Sequence, residues 1–296
     1  LMSGIQIENL VKTYGDNIAV NGLNLNLEKG KVYGFLGPNG AGKSTTMNII
    51  TGYIGATSGT VKIDGYDIFK EPEKAKKCVG YLPEIPPLYQ DMTVKEYLVF
   101  VAELKKIEKS LRAGYVKETM KITKTEEVSG RLIRNLSKGY RQRVGFAQAV
   151  LGYPEILILD EPTVGLDPKQ IIEIRDLIKE LGKKHTIILS SHILSEISAV
   201  CDHVFIISHG KLVASDSTEN LLERMTGAQE IELLVKAEED TAETAIREVA
   251  QVERCEKTES KEDGAVQLLV TAKKDADVRE AIYHTCVEHH MPILEM

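Results

Sequence analysis

One stretch near the N-terminus constrains the fold of this chain more than any other. The apolar run Val32–Leu36 leads directly into the glycine-rich segment GPNGAGKS at residues 37–44, and Met47, Ile49 and Ile50 then begin a helix. The predicted order is therefore strand, glycine loop, helix. That layout is typical of a phosphate-binding unit in an α/β domain.

The residue types in this loop suit phosphate chemistry. The segment matches G-x-x-x-x-G-K-[ST] at every fixed position, and glycines allow successive backbone N–H groups to turn toward phosphate oxygens that a Cβ would keep away. Lys43 can reach the β- and γ-phosphates of a nucleotide, and the Ser44 hydroxyl can ligate Mg²⁺. The alternative, a glycine turn without a ligand, is disfavoured by the strand before the loop and the helix after it.

Two acidic residues follow a second buried-strand candidate. The run Ile156–Leu159 ends in Asp160 and Glu161, and uncompensated carboxylates at the end of a buried strand are costly to desolvate. A magnesium ion would compensate them, with Asp160 holding the ion and Glu161 polarising an attacking water. A solvated turn explains Asp160 alone about as well, but it explains the pair poorly.

The remaining patterns organise residues 1–226 as one α/β domain. Residues 5–10 and 23–27 alternate as strands, 186–189 form another buried-strand candidate, and 204–207 with 211–213 suggest a closing hairpin. Residues 94–107 and 112–128 read as helices with no strand between them. We therefore expect a helical insertion over about residues 88–150.

The sequence pattern changes after Gly227, the expected hinge. Strands are predicted over 229–237, 252–258, 265–271 and 292–294, helices over 240–250 and 275–289, and a turn at Glu262, Asp263 and Gly264. This βαββαβ order predicts a small ferredoxin-like domain over residues 227–296.

Charge and composition restrict the function further. Of the 44 acidic and 37 basic residues, 17 acidic and 8 basic ones lie from Gly227 onward, so an acidic tail follows a nearly neutral body. This balance argues against general affinity for nucleic acid. No apolar run approaches the roughly 18 residues of a membrane-spanning helix, and no secretory signal is evident.

The cysteines indicate a reducing compartment. Cys78, Cys201, Cys255 and Cys286 are scattered without a C-x-x-C pair, which is typical of cytosolic proteins and argues against a disulfide framework. Cys286 lies near His289 and His290, but no second group of ligands accompanies them, so a metal site there is not expected.

Further motifs resemble those of the ABC ATP-binding family. The segment LSKGYRQR at residues 136–143 resembles the ABC signature, and VGLD at residues 164–167 looks like the family's D-loop. His192, after Ser190 and Ser191, matches the switch histidine. Tyr14 matches the aromatic residue that stacks on adenine. With the two phosphate-site motifs, six motifs in the family's order cover residues 5–213.

The resemblance implies a P-loop NTPase fold of the ABC type, with a RecA-like core, a helical subdomain and an N-terminal β-subdomain. It implies that Tyr14 stacks on the base, that His192 contacts the γ-phosphate, and that Asp167 crosses to a partner subunit. Ser137 and Gly139 would bind the γ-phosphate held by the other subunit. The predicted ATP-binding residues are Tyr14, Gly37, Pro38, Asn39, Gly40, Ala41, Gly42, Lys43, Ser44, Thr45, Ser137, Gly139 and Asp167.

The catalytic and metal-binding residues implied by the same resemblance form smaller sets. The catalytic residues are Glu161 and His192, and the Mg²⁺ ligands are Ser44, Glu84 and Asp160. A homodimer, or a heterodimer with a similar ATPase, would sandwich two ATP molecules, because a signature loop does not close on the phosphates of its own chain.

This chain departs from the usual motifs at a few positions. Lys138 replaces a glycine of the signature, Tyr140 replaces its glutamine, and Glu84 stands where the family normally has glutamine. These variants look like the ABC-2 exporter branch, which includes drug, antibiotic and sodium extrusion ATPases. The transported substrate is not indicated.

The leading hypothesis is an ATPase that powers transport through a separate membrane permease, from the cytoplasmic face of the cell membrane. The proline-rich loop at residues 84–88 would be the coupling surface, although it also reads as an ordinary exposed connection. One alternative is a soluble ABC ATPase that acts on DNA or the ribosome; the single cassette and the charge distribution disfavour it. The second alternative is an ATP sensor that does not hydrolyse ATP, and the presence of Glu161 and His192 argues against it.

Overall fold

The computed structural model of the chain describes residues 3–221, 230–237, 239–258, 264–273 and 276–296. The chain divides into two compact units, Leu1–Thr218 and Glu219–Met296. The predicted junction between residues 226 and 227, with Gly227 as its hinge, lies outside the described residues.

The secondary structure of the first unit forms two sheets and a helical segment. Its strands are β1 (Ser3–Tyr14), β2 (Asn17–Glu28), β3 (Val32–Leu36), β4 (Ser58–Ile63), β5 (Tyr66–Asp67), β6 (Val79–Leu82), β7 (Ile156–Leu159), β8 (Thr186–Ser191), β9 (His203–Ser208) and β10 (Lys211–Ser217). Its helices are α1 (Lys43–Ile50), α2 (Pro72–Lys77), α3 (Val94–Leu104), α4 (Lys109–Ile122), α5 (Lys138–Val150), α6 (Pro168–Gly182) and α7 (Leu194–Ser198), with 3₁₀ turns at Glu126–Val128 and Ile133–Asn135.

A six-stranded sheet forms the centre of this unit. Its strand order is β10-β9-β3-β8-β7-β6, in which β6, β7, β8, β3 and β9 pair in parallel and β10 closes the edge as the antiparallel arm of a hairpin. Every residue of β7 and β8 is buried. Continuous apolar strands of this kind are expected where a parallel sheet is covered on both faces.

A second, antiparallel sheet of order β2-β1-β4-β5 forms the N-terminal β-subdomain. The alternating apolar residues of β1 and β2 lie opposite each other and are buried: Ile5 lies opposite Leu27, and Ile7 lies opposite Leu25. These side chains join one hydrophobic core with residues of β3 and α1. The P-loop NTPase class with an N-terminal β-subdomain, predicted from the motifs, is confirmed.

The helical segment has its own hydrophobic cluster, built from α3, α4 and α5. The helix predicted over 94–107 ends at Leu104, and the one predicted over 112–128 runs from Lys109 to Ile122 before a separate 3₁₀ turn. Lys106 and Lys124, just past the two helix ends, have φ of 58° and 53°. Left-handed residues at these positions terminate helices, and apolar periodicity does not reveal them.

The second unit consists of β11 (Glu230–Val235), α8 (Glu239–Arg247), β12 (Val252–Thr258), β13 (Val266–Ala272), α9 (Arg279–Glu288) and β14 (Ile293–Glu295). Its antiparallel sheet has the order β12-β13-β11-β14. The βαββαβ order is the predicted one. Of the predicted turn, Glu262 and Asp263 lie outside the described residues, and α9 begins at Arg279 rather than at residue 275.

The helices of both units are short or polar. Within their described parts, no helix combines the length and the apolar character that crossing a bilayer requires.

Candidate functional site

A cavity of about 460 Å³ lies where the strands β3, β7 and β8 end. In parallel sheets the carboxyl ends of the strands meet at one edge, so loops distant in sequence converge there. Of the predicted site residues, those that line this cavity are Tyr14, Asn39, Gly40, Gly42, Lys43, Ser44, Thr45, Glu84, Glu161 and His192.

The glycine-rich loop has a backbone that other residues could not adopt. Gly42 has φ of 101°, and a Cβ there would lie 2.4 Å from the carbonyl oxygen of Ala19. A Cβ on Gly37 would lie 2.2 Å from the carbonyl oxygen of Ile207. Helix α1 begins directly after Gly42, which offers no side-chain cap. The first amide groups of α1 are therefore suited to an anionic ligand.

Lys43 connects the loop to the acidic residues of the site. Its side chain is buried, and its ammonium group donates to the carbonyl oxygens of Gly37 at 2.7 Å and Pro38 at 3.2 Å. The same nitrogen lies 3.4 Å from Oε1 of Glu161. A buried cation is thus held at the centre of the cavity wall, where it can meet phosphate oxygens.

Asp160 is positioned by two serines from neighbouring elements. The Ser44 hydroxyl donates to Oδ1 of Asp160 at 3.1 Å, and the Ser190 hydroxyl donates to the same oxygen at 2.5 Å. Ser190 also accepts a hydrogen bond from the backbone N–H of Glu161 at 2.9 Å. It lies on β8, beside β7, and no sequence pattern indicated this positioning role.

Glu161 and His192 form a second pair. Nδ1 of His192 lies 3.2 Å from Oε2 of Glu161. Glu161 is buried and has φ of 45°, a left-handed conformation that costs a non-glycine residue conformational energy and is common at functional sites. The carboxylate is thereby turned into the cavity, between the ammonium group of Lys43 and the imidazole of His192.

Two tyrosines lie near the charged centre of the site: Tyr14 lines the cavity, and Tyr81 lines the neighbouring groove together with Asp160. Tyr14 is half exposed, and the ammonium group of Lys12 lies 5.0 Å from the centre of its ring. Tyr81 donates to the side-chain oxygen of Asn48 at 2.9 Å. Burial, and secondarily the charge of Asp160, raises the pKa of Tyr81, so this tyrosine is a neutral hydrogen-bond donor.

Seven predicted site residues are not among those that line the cavity: Gly37, Pro38, Ala41, Ser137, Gly139, Asp160 and Asp167. The first three belong to the glycine loop itself and Asp160 is hydrogen-bonded to Ser44, whereas the other three lie elsewhere. Ser137 caps α5 by accepting from the N–H of Tyr140 at 3.4 Å, and Asp167 caps α6 by accepting from the N–H of Gln170 at 2.9 Å. Gly139 packs against the side chain of Gln170. Within one chain, therefore, the signature residues cluster apart from the glycine loop.

Some residues of the cavity wall were not predicted from the sequence. These are Asn17, Ile18, Ala19, Val164 and His209. His209 was part of the predicted hairpin and Val164 part of the D-loop motif, but neither pattern indicated that the residue faces a ligand cavity. Together, fold and site define a P-loop nucleoside triphosphatase with an inserted helical segment.

Comparison with known proteins narrows this class. Residues 20–164 match the family model described as ABC transporter. The bacitracin transport ATP-binding protein BcrA of Bacillus licheniformis is 42% identical over 222 residues, which cover 74% of this chain and 72% of that protein. The linearmycin resistance ATP-binding protein LnrL of Bacillus subtilis (strain 168) is 36% identical over 252 residues, which cover 84% of this chain and 80% of that protein.

Solved structures agree with these sequence matches. The protein cbiO1 of Clostridium perfringens, part of the ABC transporter complex cbiONQ, has a TM-score of 0.69 at 29% identity, covering 76% of this chain and 92% of that one. The ATP-binding cassette MJ0796, solved as a dimer with ADP and Pi, has a TM-score of 0.66 at 26% identity. The match covers 72% of this chain and 98% of that one. The chain therefore belongs to the ABC transporter family, as one of its ATP-binding, ATP-hydrolysing subunits.

Proposed function

We propose that this subunit is the ATP-driven motor of an ABC-2 type exporter of antibiotics, bound through a separate permease to the cytoplasmic face of the cell membrane. Relatives named for bacitracin transport, linearmycin resistance and lantibiotic transport support this substrate class. The main support for coupling to a permease is that the loop at residues 84–88 borders both the nucleotide cavity and a large aromatic groove.

This groove has a volume of about 870 Å³. It is lined by Pro83, by the coupling-loop residues Glu84, Ile85 and Pro87, and by the aromatic residues Tyr53, Tyr81, Tyr89, Tyr97 and Phe100. Ile85 is 82% exposed, and a large apolar side chain exposed beside a groove favours contact with another protein. Ser44 and Glu84 border both the groove and the cavity, so a segment of the permease seated in the groove would lie close to the phosphates.

The binding roles follow from the geometry of the cavity. Tyr14 offers an exposed ring on which adenine can stack. The loop amides and the N-terminus of α1 face the phosphates, and Lys43 neutralises charge on the β- and γ-phosphates.

The donor set beside the loop fits Mg²⁺. Ser44 and Asp160 present hard oxygen donors whose hydrogen-bonded atoms are 3.1 Å apart, and Ser44, Asp160 and Glu84 all border the aromatic groove beside the cavity. The described residues contain no group of three or more His, Cys, Asp or Glu side chains suited to a metal ion. Mg²⁺ in ATPases typically takes only one or two carboxylates and completes its coordination with phosphates and water. When bound, the ion would neutralise the developing charge on the phosphates.

The hydrolytic roles fall to Glu161 and His192. Glu161 orients and polarises the attacking water, because its carboxylate faces the cavity beside Lys43. His192 holds the carboxylate from the other side and contacts the γ-phosphate. Both residues act by positioning and charge, which are the principal means of catalysing phosphoryl transfer.

Dimerisation completes the site. Ser137, Gly139 and Asp167 lie apart from the cavity of their own chain, and the N-terminus of α5 is itself suited to an anion. We infer that these residues act on the nucleotide of a second subunit. The dimer of the cassette MJ0796 supports this arrangement.

The assignment of Glu161 is tested by phosphate release from the purified chain with Mg-ATP. We expect Glu161→Gln to lower kcat by about 100-fold or more, because the water loses its general base, while ATP affinity is retained. Glu126→Gln, which changes an exposed glutamate of the same unit, should leave the rate unchanged. Equal rates for wild type and Glu161→Gln would contradict the assignment.

A further inference from the structure

A buried carboxylate behind the site has no role in the mechanism described above. Glu196, in α7, is 8% exposed. It takes part in none of the ion pairs found among the described residues. Its Oε2 accepts hydrogen bonds from the hydroxyls of Thr163 at 2.7 Å and Ser191 at 3.0 Å. A buried carboxylate is costly unless such donors satisfy it, and hydroxyl bonds to an ionised oxygen are among the stronger ones.

The two hydroxyls come from different functional segments. Thr163 lies two residues after Glu161, at the start of the segment that leads to Asp167. Ser191 immediately precedes His192, and its Oγ also accepts from the N–H of Ile193 at 3.1 Å. Both Thr163 and Ser191 are buried. One carboxylate oxygen therefore joins the residue directly before the D-loop to the segment that carries the switch histidine.

The segment directly before the D-loop is also held from the side of the signature helix. Gln142 of α5 donates from its side-chain amide to the carbonyl oxygen of Pro162 at 3.0 Å. Pro162 and Thr163, which directly precede the D-loop, thus connect to α5 and to α7. A displacement of this segment would act on both helices through these buried hydrogen bonds.

We propose that Glu196 is a positioning residue that couples the D-loop to His192, so that docking of a partner subunit on Asp167 sets the position of the histidine beside Glu161. This inference rests on the proposed roles of Asp167 and His192. Glu196 itself contacts neither nucleotide nor water; it acts through Thr163 and Ser191.

The test is ATP hydrolysis by the full chain, with kcat, KM and cooperativity in ATP measured per folded molecule. We expect Glu196→Ala to lower kcat by about 10- to 100-fold, as small misplacements of catalytic groups do, to reduce cooperativity and to change KM little. Glu196→Gln should retain most of the activity, because both hydroxyls bond one oxygen, which an amide oxygen can replace.

Two further variants keep the test informative if Glu196→Ala folds poorly. Thr163→Val and Ser191→Ala each break one side of the link, so each should lower kcat. The double variant should be little worse than either single one, since the link is already broken. Glu126→Ala serves as the control for loss of a glutamate and should behave as wild type.

A purely structural role predicts a different result. In that case Glu196→Ala lowers the melting temperature, the folded fraction keeps the wild-type kcat and cooperativity, and Thr163→Val and Ser191→Ala leave kcat unchanged; that pattern overturns the inference. Failure of the proposed function is separate, because it would appear as an unchanged rate in Glu161→Gln.

Discussion

At the scale of single residues, the site depends on backbone conformations that only particular side chains allow. Gly42 combines a left-handed φ of 101° with a carbonyl oxygen 2.4 Å from the position of a Cβ. Glu161 adopts φ of 45° despite its side chain. The glycine lets the loop pass close to the backbone of Ala19, and the glutamate directs a carboxylate into the cavity.

Gly42→Ala should therefore weaken ATP binding. A non-glycine residue at this φ costs about 1–3 kcal/mol, and the contact with Ala19 forces the loop out of the conformation that holds phosphate. We expect the affinity for ATP to fall by about tenfold or more, since 1.4 kcal/mol corresponds to a factor of ten. Titration calorimetry with ATP measures the effect.

Gly114→Ala is the matched control for this change. Gly114 lies within α4, and no atom lies within 4 Å of the point that its Cβ would occupy. Alanine there should raise stability by about 0.5–1 kcal/mol and leave ATP binding unchanged. Unaltered affinity in Gly42→Ala would mean that the loop does not hold the nucleotide as described.

At the scale of elements, both ends of α5 depend on residues outside the helix. Its N-terminus carries the signature residues and is capped by Ser137. Its C-terminus lacks a basic residue of its own, but Lys105, at the end of α3, donates to the carbonyl oxygens of Gln148 at 2.8 Å, Ala149 at 3.2 Å and Leu151 at 2.6 Å. An ammonium group from one helix thus satisfies the last carbonyls of another.

Lys105→Met should destabilise the first unit by about 1–3 kcal/mol, because methionine keeps much of the stem but leaves these carbonyls without their charged donor. Thermal and denaturant unfolding measure the loss. Lys95→Met, which changes an exposed lysine of α3, should have little effect. If both variants unfold at the wild-type midpoint, the three hydrogen bonds contribute nothing to stability.

At the scale of the whole molecule, the separation of the signature residues from the cavity predicts a nucleotide-dependent dimer. The Glu161→Gln form should dimerise in Mg-ATP, because bound ATP is retained and links the glycine loop of one chain to the α5 N-terminus of the other. Light scattering after size exclusion, at several protein concentrations, measures the change in mass.

Two comparisons accompany this measurement. Without nucleotide the same protein should run as a monomer. Adding Ser137→Ala should weaken the dimer while the chain stays folded, which its unfolding curve verifies since the helix cap is also lost. A strictly monomeric Glu161→Gln protein in saturating Mg-ATP, even at high concentration, would refute the shared site.

Local patterns were enough to predict much of the fold. The strand, glycine loop and helix at residues 32–50, the strand ending in Asp160 and Glu161, and the βαββαβ order of the second unit were predicted because each depends on neighbouring residues in sequence. The helix ends at Leu104 and Ile122 were not, because left-handed residues such as Lys106 and Lys124 carry no apolar periodicity.

The sequence by itself determined where the residues proposed to carry the phosphate chemistry lie in the chain, since a glycine loop, a lysine and paired acids must occur at set spacings to act together. Only the tertiary structure decided how they are supported: Ser190 donates to Asp160, and Glu196 accepts hydrogen bonds from Thr163 and Ser191. It also placed Ser137 and Asp167 away from the cavity. The contacts of Ser190 with Asp160 and of Glu196 with Thr163 join residues 30 and 33 positions apart, and they exist because parallel strands bring the ends of distant segments to one edge of the sheet.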